Sequence, residues 1–418
     1  MSAPLRCDVA VIGGGAAGLA AAAGAAQAGA RTVLVERYGF LGGAATHSSV
    51  LSYCGFYTQG EDPLPVVGGI GLMVLTGMAR LAVDPRPRRS PTSGNWVIPF
   101  DPEAAKVAMD RVAQDTGVHV LLHARMIGAR REGKRVTHVQ VLDHAGPRVI
   151  EAAAFVDASG DANLAHAADG VLVGAGARPR QLASLPVRIS GVARDVALDR
   201  VALARALAPL GPLGVARLRA DGGFITRLPL SDDVWWLGID IATDGLSAES
   251  LTQAEIDGRA LAWQALGAMR ERLAGFADAV IVATGPQVGI RDSRRARGRD
   301  EIRIEDLRQG RLRSDGVACA GWPSEVHDPE RGPVYERIGG RGYFHVPLGA
   351  LQADAIDNLW LAGRVIDCDP VVYGSVRVMG TAFATGHAAG IAAALQAKHG
   401  AASAAAVRAA LKQQGAIL

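Results

Sequence analysis

The first stretch of the chain alternates between apolar runs and glycine-containing breaks. Residues 8–12 are almost wholly apolar after Asp8, as expected of a short strand buried on both faces. Residues 16–28 are alanine-rich and stop at Gly29, which predicts a helix with a C-terminal breaker. Residues 32–36 are a second apolar strand closed by Glu36. Strand, helix and strand in that order predict a βαβ unit. Residues 38–94 are rich in Gly, Pro and Ser, broken by one helical stretch around 72–81, and predict loops that cover a ligand. A further helix is predicted over 102–116. Asp101 sits at its N-cap, Pro102 at the position where a missing N–H costs nothing, and Gly117 ends it.

After a third apolar strand at 118–123, three alternating segments follow, at 125–131, 136–143 and 148–152. Glu132-Gly133 and Ala145-Gly146 supply the turns between them, so a β-meander is expected. It leads to a strand at 155–157 and the loop Ala158-Ser159-Gly160-Asp161. From about residue 177 the pattern changes to strands such as 186–190 and 234–241, the latter entered through Ser231-Asp232-Asp233. A long helix should follow, opened by a capping box at Thr252-Gln253-Ala254-Glu255 and running to Leu273. Residues 358–362 and a Gly/Ala-rich C-terminal helix return to the first pattern. These elements predict an α/β fold. A Rossmann-type dinucleotide-binding domain of parallel sheet plus β-meander, residues 1–176 and 335–418, is split by an inserted α+β substrate domain at 177–334.

Gly13, Gly15 and Gly18 form G-x-G-x-x-G between the first strand and its helix, and Glu36 ends the second strand. Gly13 permits the tight turn, Gly15 lets the backbone approach a pyrophosphate, and Gly18 lets helix and strand pack closely. The N–H groups at the helix N-terminus, around Ala16 and Ala17, and the positive end of its dipole would face the phosphates. Glu36 would accept hydrogen bonds from ribose hydroxyls and disfavours a 2′-phosphate. The fingerprint does not separate FAD from NAD. Three features favour FAD. A Gly42-Gly43 pair follows Glu36-Arg37 and leads into Ala45-Thr46, where extended chain can run toward a flavin ring. The meander ends in Val156-Asp157-Ala158-Ser159-Gly160-Asp161. Asn358-Leu359-Trp360-Leu361-Ala362-Gly363-Arg364 is followed by Val378-Met379-Gly380-Thr381 at the start of the last long helix.

On these motifs the sequence resembles the glutathione-reductase-like FAD-dependent oxidoreductases, and within them the FAD-dependent oxidoreductase family distantly related to fumarate reductase flavoproteins. The resemblance covers residues 5–175 and 278–396. It implies that Glu36 binds the adenosine ribose, that Gly42, Gly43 and Thr46 line the flavin, and that Gly363 and Arg364 meet the phosphate and ribityl region. It further implies that Met379 and Gly380 face the pyrimidine end of the flavin, and that Arg125 or Met126 contacts adenine through the backbone. Some relatives hold FAD covalently through a histidine in the region of His47.

Candidates for chemistry fall in two places. Gly289-Ile290-Arg291-Asp292-Ser293-Arg294-Arg295 resembles the family's R-[DE]-S-R-R element. Its arginines either clamp a carboxylate or reduced flavin, or pair with Asp292, Asp300 and Glu301 to fix a domain interface. Tyr343 and His345 share one face of a strand that the family places beside the active site. His345 is therefore the candidate general base, with a satisfied structural histidine as the alternative. His387 reads as a neighbour of the flavin loop, and Tyr53, Tyr57, Trp96 and Tyr373 as walls of an apolar pocket or as core. Gly174-Ala175-Gly176-Ala177-Arg178-Pro179 lacks the third glycine and the helix of a second nucleotide loop.

Composition narrows the rest. The chain has 418 residues, 49% hydrophobic and 20% charged, which fits a globular enzyme of two ordinary domains. A net charge of +3 from 44 basic and 41 acidic residues gives no case for nucleic acid, and residues 291–299 as a bare charge run read as a solvated face. Cys7, Cys54, Cys319 and Cys368 contain no CxxC pair, so neither zinc nor a redox dithiol is indicated. No leader or membrane span is expected, and a cytoplasmic location is the default. The expectation is an FAD-dependent dehydrogenase or oxidase. It would pass hydride from a small polar organic substrate to flavin N5 and the electrons on to oxygen or another acceptor, with a homo-oligomer possible. The alternatives are a reductase of an activated double bond and an electron-transfer subunit of a complex.

Overall fold

Leu5–Ile12 (β1) and Thr32–Val35 (β2) pair in parallel, Val9 opposite Thr32 and Ile12 opposite Val35. A parallel pair needs a crossover, and Ala16–Gln27 (α1) supplies it. The computed structural model describes residues 3–90, 93–173, 180–328 and 332–418. After β2 the chain forms Ser52–Cys54 (β3), Ile70–Ala79 (α2), Arg88–Arg89 (β4) and Trp96–Pro99 (β5), the three strands making a small antiparallel sheet. Pro102–Asp115 (α3) starts where expected, with the Asp101 carboxylate accepting from the Glu103 and Ala104 N–H groups. His119–Leu121 (β6) then joins the free edge of β2 in parallel.

Arg125–Glu132 (β7), Arg135–Asp143 (β8) and Gly146–Asp157 (β9) form the meander. The segments expected separately at 148–152 and 155–157 are one strand. No turn residue stands in Ala152-Ala153-Ala154, so the chain stays extended and changes partner instead. The first part of β9 pairs with β8, and the strand pairs in parallel with β1 from Ile150 to Asp157.

Asn163–Ala167 (α4) and Leu172–Val173 (β10) precede residues 174–179, which lie outside the described residues together with the expected domain boundary. The next unit comprises Ala183–Ser184 (β11), Val187–Ser190 (β12), Arg200–Leu207 (α5), Ala216–Leu218 (β13), Phe224–Arg227 (β14), Val234–Leu237 (β15), Ile239–Ile241 (β16), Ala248–Arg272 (α6) and Val280–Ala283 (β17). It has two sheets, β14-β15-β12-β17 and β11-β16-β13. The single strand expected over 234–241 breaks at Gly238, where a Cβ would stand 2.3 Å from the Trp236 indole, and its halves enter different sheets. Helix α6 begins about a turn before the expected Thr252. The Ser247 hydroxyl accepts from the Ser250 N–H, which leaves Thr252 inside the helix. Leu185, Ile189, Trp236, Leu261 and Met269 belong to a hydrophobic core separate from the one around β1 and α1.

Next come Arg295–Ala296 (β18), Ile304–Gln309 (α7), Gly316–Ala320 (β19), Ser324–Asp328 (β20), Gly332–Glu336 (β21), Phe344–Pro347 (β22), Leu359–Leu361 (β23), Pro370–Val376 (α8), Met379–His399 (α9) and Ala404–Gln413 (α10). Strand β18 pairs with β10, and Ile302, Leu307 and Val317 join the core around β1 and α1, so this packing begins well before the expected residue 335. Strand β23 completes the main sheet beside β9, Leu361 opposite Asp157. The buried Asn358 side chain locks that junction. It accepts from the Val136 N–H and donates to the Val136 and Ala153 carbonyls. The Gly/Ala composition of α1 and α9 follows from their contact: a Cβ on Gly386 or Gly390 would fall 2.1 or 1.9 Å from the carbonyl oxygen of Ala17 or Ala21. Among the described residues, no single helix is long and apolar enough to cross a membrane.

Candidate active site

One cavity of about 1390 Å³ extends from the β1–α1 turn to the hairpin formed by β20 and β21. At the first end, Gly13 has φ +100° and a Cβ there would stand 2.5 Å from the Ala158 carbonyl oxygen, so only glycine lets the turn lie against that loop. Gly15, Ala16 and Ala17 line the cavity at the start of α1, which has no side-chain cap, and the first intrahelical acceptor, Gly15 O, serves Leu19. The leading N–H groups of α1 are therefore left for a ligand. Gly42 and Gly43, at φ +124° and +56°, bring a second stretch of backbone alongside Gly15.

The Glu36 carboxylate is buried and fixed by the Gly14 N–H at 2.6 Å and the Tyr38 N–H at 2.9 Å. Burial raises its pKa, and those two backbone donors oppose the shift. Arg37, Arg125 and Met126 line the same end. The loop after β9 is held by Asp157, which accepts from the Ser159 N–H and hydroxyl and from the Ala165 N–H, so Ser159, Gly160 and Asp161 face the cavity. Asp161 accepts from Arg364 Nη2 at 2.8 Å and from the Ser293 hydroxyl at 2.7 Å, and Arg364 Nη1 also donates to that hydroxyl. Burial alone would raise the Asp161 pKa, but the Arg364 charge and the Ser293 hydrogen bond bring it below the ordinary value. Gly363, Arg364 and Met379 line the cavity, the last at the uncapped N-terminus of α9.

Three residues expected at the cofactor, Ala45, Thr46 and Gly380, pack behind this surface instead, and Gly18 packs helix on strand as its place in the fingerprint predicts. A Cβ on Gly18 would fall 1.7 Å from the Gly13 carbonyl oxygen, so this glycine serves the strand–helix contact. Ala45 is buried in the core. The Thr46 hydroxyl is spent on the Leu41 carbonyl, leaving its neighbours His47 and Ser48 to line the cavity. Gly380 abuts the Cys54–Gly55 backbone, where a Cβ would stand 2.5 Å from the Cys54 carbonyl oxygen.

The far end is polar, and its key residues were not singled out in the sequence. Glu325 and His327 alternate on β20, and Tyr335 lies directly across from Glu325 on β21. Glu325 Oε1 meets His327 Nε2 at 3.1 Å and accepts from the Tyr335 hydroxyl at 2.9 Å, while Oε2 accepts from Trp322 Nε1. Burial would raise the Glu325 pKa, but His327, Arg377 and Tyr335 hold it well below the carboxylate range. Burial and the Arg291 charge push the His327 pKa down to about 4, against the pull of Glu325. An ionised Glu325 only accepts, which assigns the proton of neutral His327 to Nε2 and leaves a lone pair on Nδ1. That Nδ1 is buried and has no hydrogen-bond partner among the described residues. The readable signal was Glu-x-His on one strand with a tyrosine-bearing strand after Asp328-Pro329-Glu330-Arg331-Gly332.

Arg291, of the expected catalytic residues, lines this end. Tyr343 and His345 do not line the cavity. Strand β22 pairs with β19, and the His345 ring is engaged by the backbone of Arg313 at 3.1 Å, so the general-base assignment moves away from it. The basic run is a solvated face only at its end, where Arg297 and Arg299 are exposed. Arg294 binds the Asp161 carbonyl and Asn163, and Arg295, 3% exposed, donates to the Cys368 carbonyl and lies over Tyr373. Tyr53 and Tyr373 are core, and neither Tyr57 nor Trp96 lines the cavity; Phe224, Trp235, Trp322 and Tyr335 do. His387 is buried against Gln414 at 2.6 Å, tying α9 to the C-terminus. All four cysteines are free.

The family model described as FAD dependent oxidoreductase matches residues 8–414. The chain belongs to that family. Among solved structures, BexE, described in connection with oxidation during BE-7585A biosynthesis, superimposes with a TM-score of 0.50 at 13% identity, over 98% of this chain and 66% of that one. A geranylgeranyl bacteriochlorophyll reductase-like protein from Thermoplasma acidophilum gives a TM-score of 0.49 at 14% identity, over 98% and 83%. At 13% identity the likeness to BexE is one of fold. No curated protein matches the sequence.

The cavity suits the family's cofactor. In this FAD-dependent enzyme the uncapped start of α1 and the glycines beside it form a cradle that side chains would fill, the Glu36 carboxylate lines the cavity next to it, and the uncapped start of α9 offers backbone donors further along.

Proposed function

We propose that this FAD-dependent oxidoreductase is a dehydrogenase or oxidase that removes hydride and a proton from a small polar organic substrate bound at the polar end of the cavity. The observation that carries this reading is the continuity of one cavity from the dinucleotide cradle to the Glu325–His327–Tyr335 cluster. Bound FAD supplies the hydride acceptor, at flavin N5.

The chain supplies proton handling and orientation. His327, neutral and held through Nε2 by Glu325, takes the substrate proton on Nδ1, and the charge of Glu325 stabilises the imidazolium that results. Trp322 and Tyr335 keep Glu325 ionised and fixed, so it orients the ring rather than competing for the proton. Phe224, Trp235 and Trp322 line the cavity and reduce the water around this cluster. The meander and the split Rossmann-type domain also support a place among the glutathione-reductase-like flavoproteins distantly related to fumarate reductase.

The test is anaerobic mixing of the FAD-loaded protein with alcohols, amines and hydroxy or amino acids, following flavin bleaching. A substrate should bleach it, and His327→Gln should slow bleaching by about 100-fold or more with flavin content unchanged. A protein that stays yellow with every class, or a His327→Gln variant reduced at the parent rate, removes the proposal.

A further inference from the structure

Four guanidiniums and three carboxylates meet where the inserted unit faces the β20–β21 hairpin. Arg200 and Arg219 share Asp221, Arg291 stands 3.7 Å from Asp240, and Arg377 donates Nη2 to the Glu325 carbonyl. The Glu325 carboxylate is already committed to Trp322, His327 and Tyr335. With His327 neutral, these four guanidiniums and three carboxylates leave one positive charge over.

Two of the guanidiniums also have donors to spare. Arg291 uses Nη1 on the Leu182 carbonyl, and its Nε and Nη2 donate to nothing among the described residues. Among the described residues, Arg377 Nε is buried without a partner and its Nη1 donates to nothing. Both residues line the cavity, carried by different elements: Arg291 follows β17 and Arg377 ends α8. Burial pushes the Arg291 pKa down to about 10, with Arg377 and Arg219 adding to the shift against Asp240 and Glu325. Two guanidiniums with unused donors on one cavity are an arrangement that an anion between them relieves.

We infer that the substrate carries a carboxylate, held by the Arg291 and Arg377 guanidiniums beside His327. This rests on the reading of the cavity as the place where an organic substrate is oxidised, and it adds the class of that substrate. A single carboxylate balances the surplus charge. Paired N–H donors from two arginines also fix its orientation, which a lone ammonium would not.

Binding to the oxidised FAD-loaded protein tests this without turnover. Propionate and benzoate, which carry no oxidisable hydroxyl or amine, are each titrated beside their own amide by calorimetry and by the change in flavin absorbance. At least one carboxylate should bind saturably and about 10- to 100-fold more tightly than its amide. Arg291→Met and Arg377→Met should each reduce carboxylate binding to the level of the amide, and Arg→Lys at the same positions should restore part of it. Flavin content and thermal midpoint report whether each variant is folded, and the carboxylate–amide comparison in the parent protein needs no variant. Equal binding of acid and amide, or no binding of any acid, overturns the inference. If carboxylates bind tightly but none bleaches the flavin, the arginine clamp stands and the hydride-transfer reading falls. If only neutral substrates bleach it, the reverse holds.

Discussion

Replacing Arg364 by Met removes one partner of the Asp161–Arg364 pair and leaves a carboxylate facing the cofactor cavity with its main counter-charge gone. The side chains are 20% and 14% exposed and 2.8 Å apart. At an effective dielectric of roughly 20 and a charge separation of about 4 Å, the gross attraction is about 4 kcal/mol. Desolvation offsets much of this in the intact pair, but breaking one partner forfeits the attraction and keeps the carboxylate's burial cost, so about 3 kcal/mol of stability should be lost. The Ser293 hydroxyl, bonded to both groups, keeps the loss below the upper end of the usual range. In the Asp161→Asn, Arg364→Met double variant the unpaired charge is gone, and the coupling energy across the cycle should be about 2 kcal/mol. Urea unfolding of the flavin-free proteins at pH 7 measures it without the stabilisation that bound cofactor adds. Because the Asp161 pKa is depressed, the pair's contribution is present above the unfolded carboxylate pKa and fades as pH falls through the folded value. Additive single effects, with coupling under about 0.5 kcal/mol, would refute the reasoning.

Other consequences follow from equally local features. Asn358→Ala removes the side-chain partner of the Val136 N–H and carbonyl at the edge of β8, while the Ala153 carbonyl keeps Arg135, and should cost about 2 kcal/mol by urea unfolding, whereas Gln396→Ala, with fewer buried bonds, should cost less. Burial pushes the His387 pKa down to about 4, so the folded state excludes a proton that the unfolded chain accepts near 6.5. Stability is therefore full above pH 6.5 and lost as pH falls toward 4, and His387→Gln should flatten the unfolding midpoint over that window by up to roughly 1 kcal/mol per pH unit. An unchanged slope would show that His387 does not control it. Glu36→Ala should weaken FAD binding by about 10- to 100-fold in a fluorescence titration, with no loss for the flavin-free fold beyond about 1 kcal/mol.

The cofactor end was readable in sequence because it is made by local backbone demands. Gly13, Gly15, Gly18 and Glu36 sit at spacings that one turn and one strand fix, and the folded chain puts them where those spacings require. Elements whose limits depend on distant partners were read less well. Strand β9 runs on through Ala152-Ala153-Ala154 because β1 takes over its pairing, and the 234–241 segment breaks because Gly238 and Trp236 compete for one space. The two histidine-bearing strands show the limit most clearly. Tyr343-x-His345 and Glu325-x-His327 have the same local pattern, an aromatic or acidic residue beside a histidine on one strand face. Only the pairing of β22 with β19, and of β20 with β21, decides which histidine reaches the cavity.

That division has a consequence for kinetics. The cofactor end is built from backbone N–H groups and glycines, and the far end from side chains that distant segments bring together: Arg219 beside β13, Arg291 after β17, Glu325 and His327 on β20, and Arg377 at the end of α8. A guanidinium that holds a substrate carboxylate does so before and during reaction alike, so its loss is uniform binding energy and should appear in KM. His327 is engaged only as the proton leaves, so its loss should appear in kcat. Arg291→Lys should therefore raise KM by about 10-fold or more with kcat within a few-fold of the parent, and His327→Gln should do the opposite. Steady-state rates over a range of concentrations of whichever carboxylate bleaches the flavin separate the two. If Arg291→Lys instead lowers kcat at unchanged KM, Arg291 acts on the developing charge of the reaction rather than on the substrate's resting carboxylate, and the clamp must be assigned to Arg377 alone.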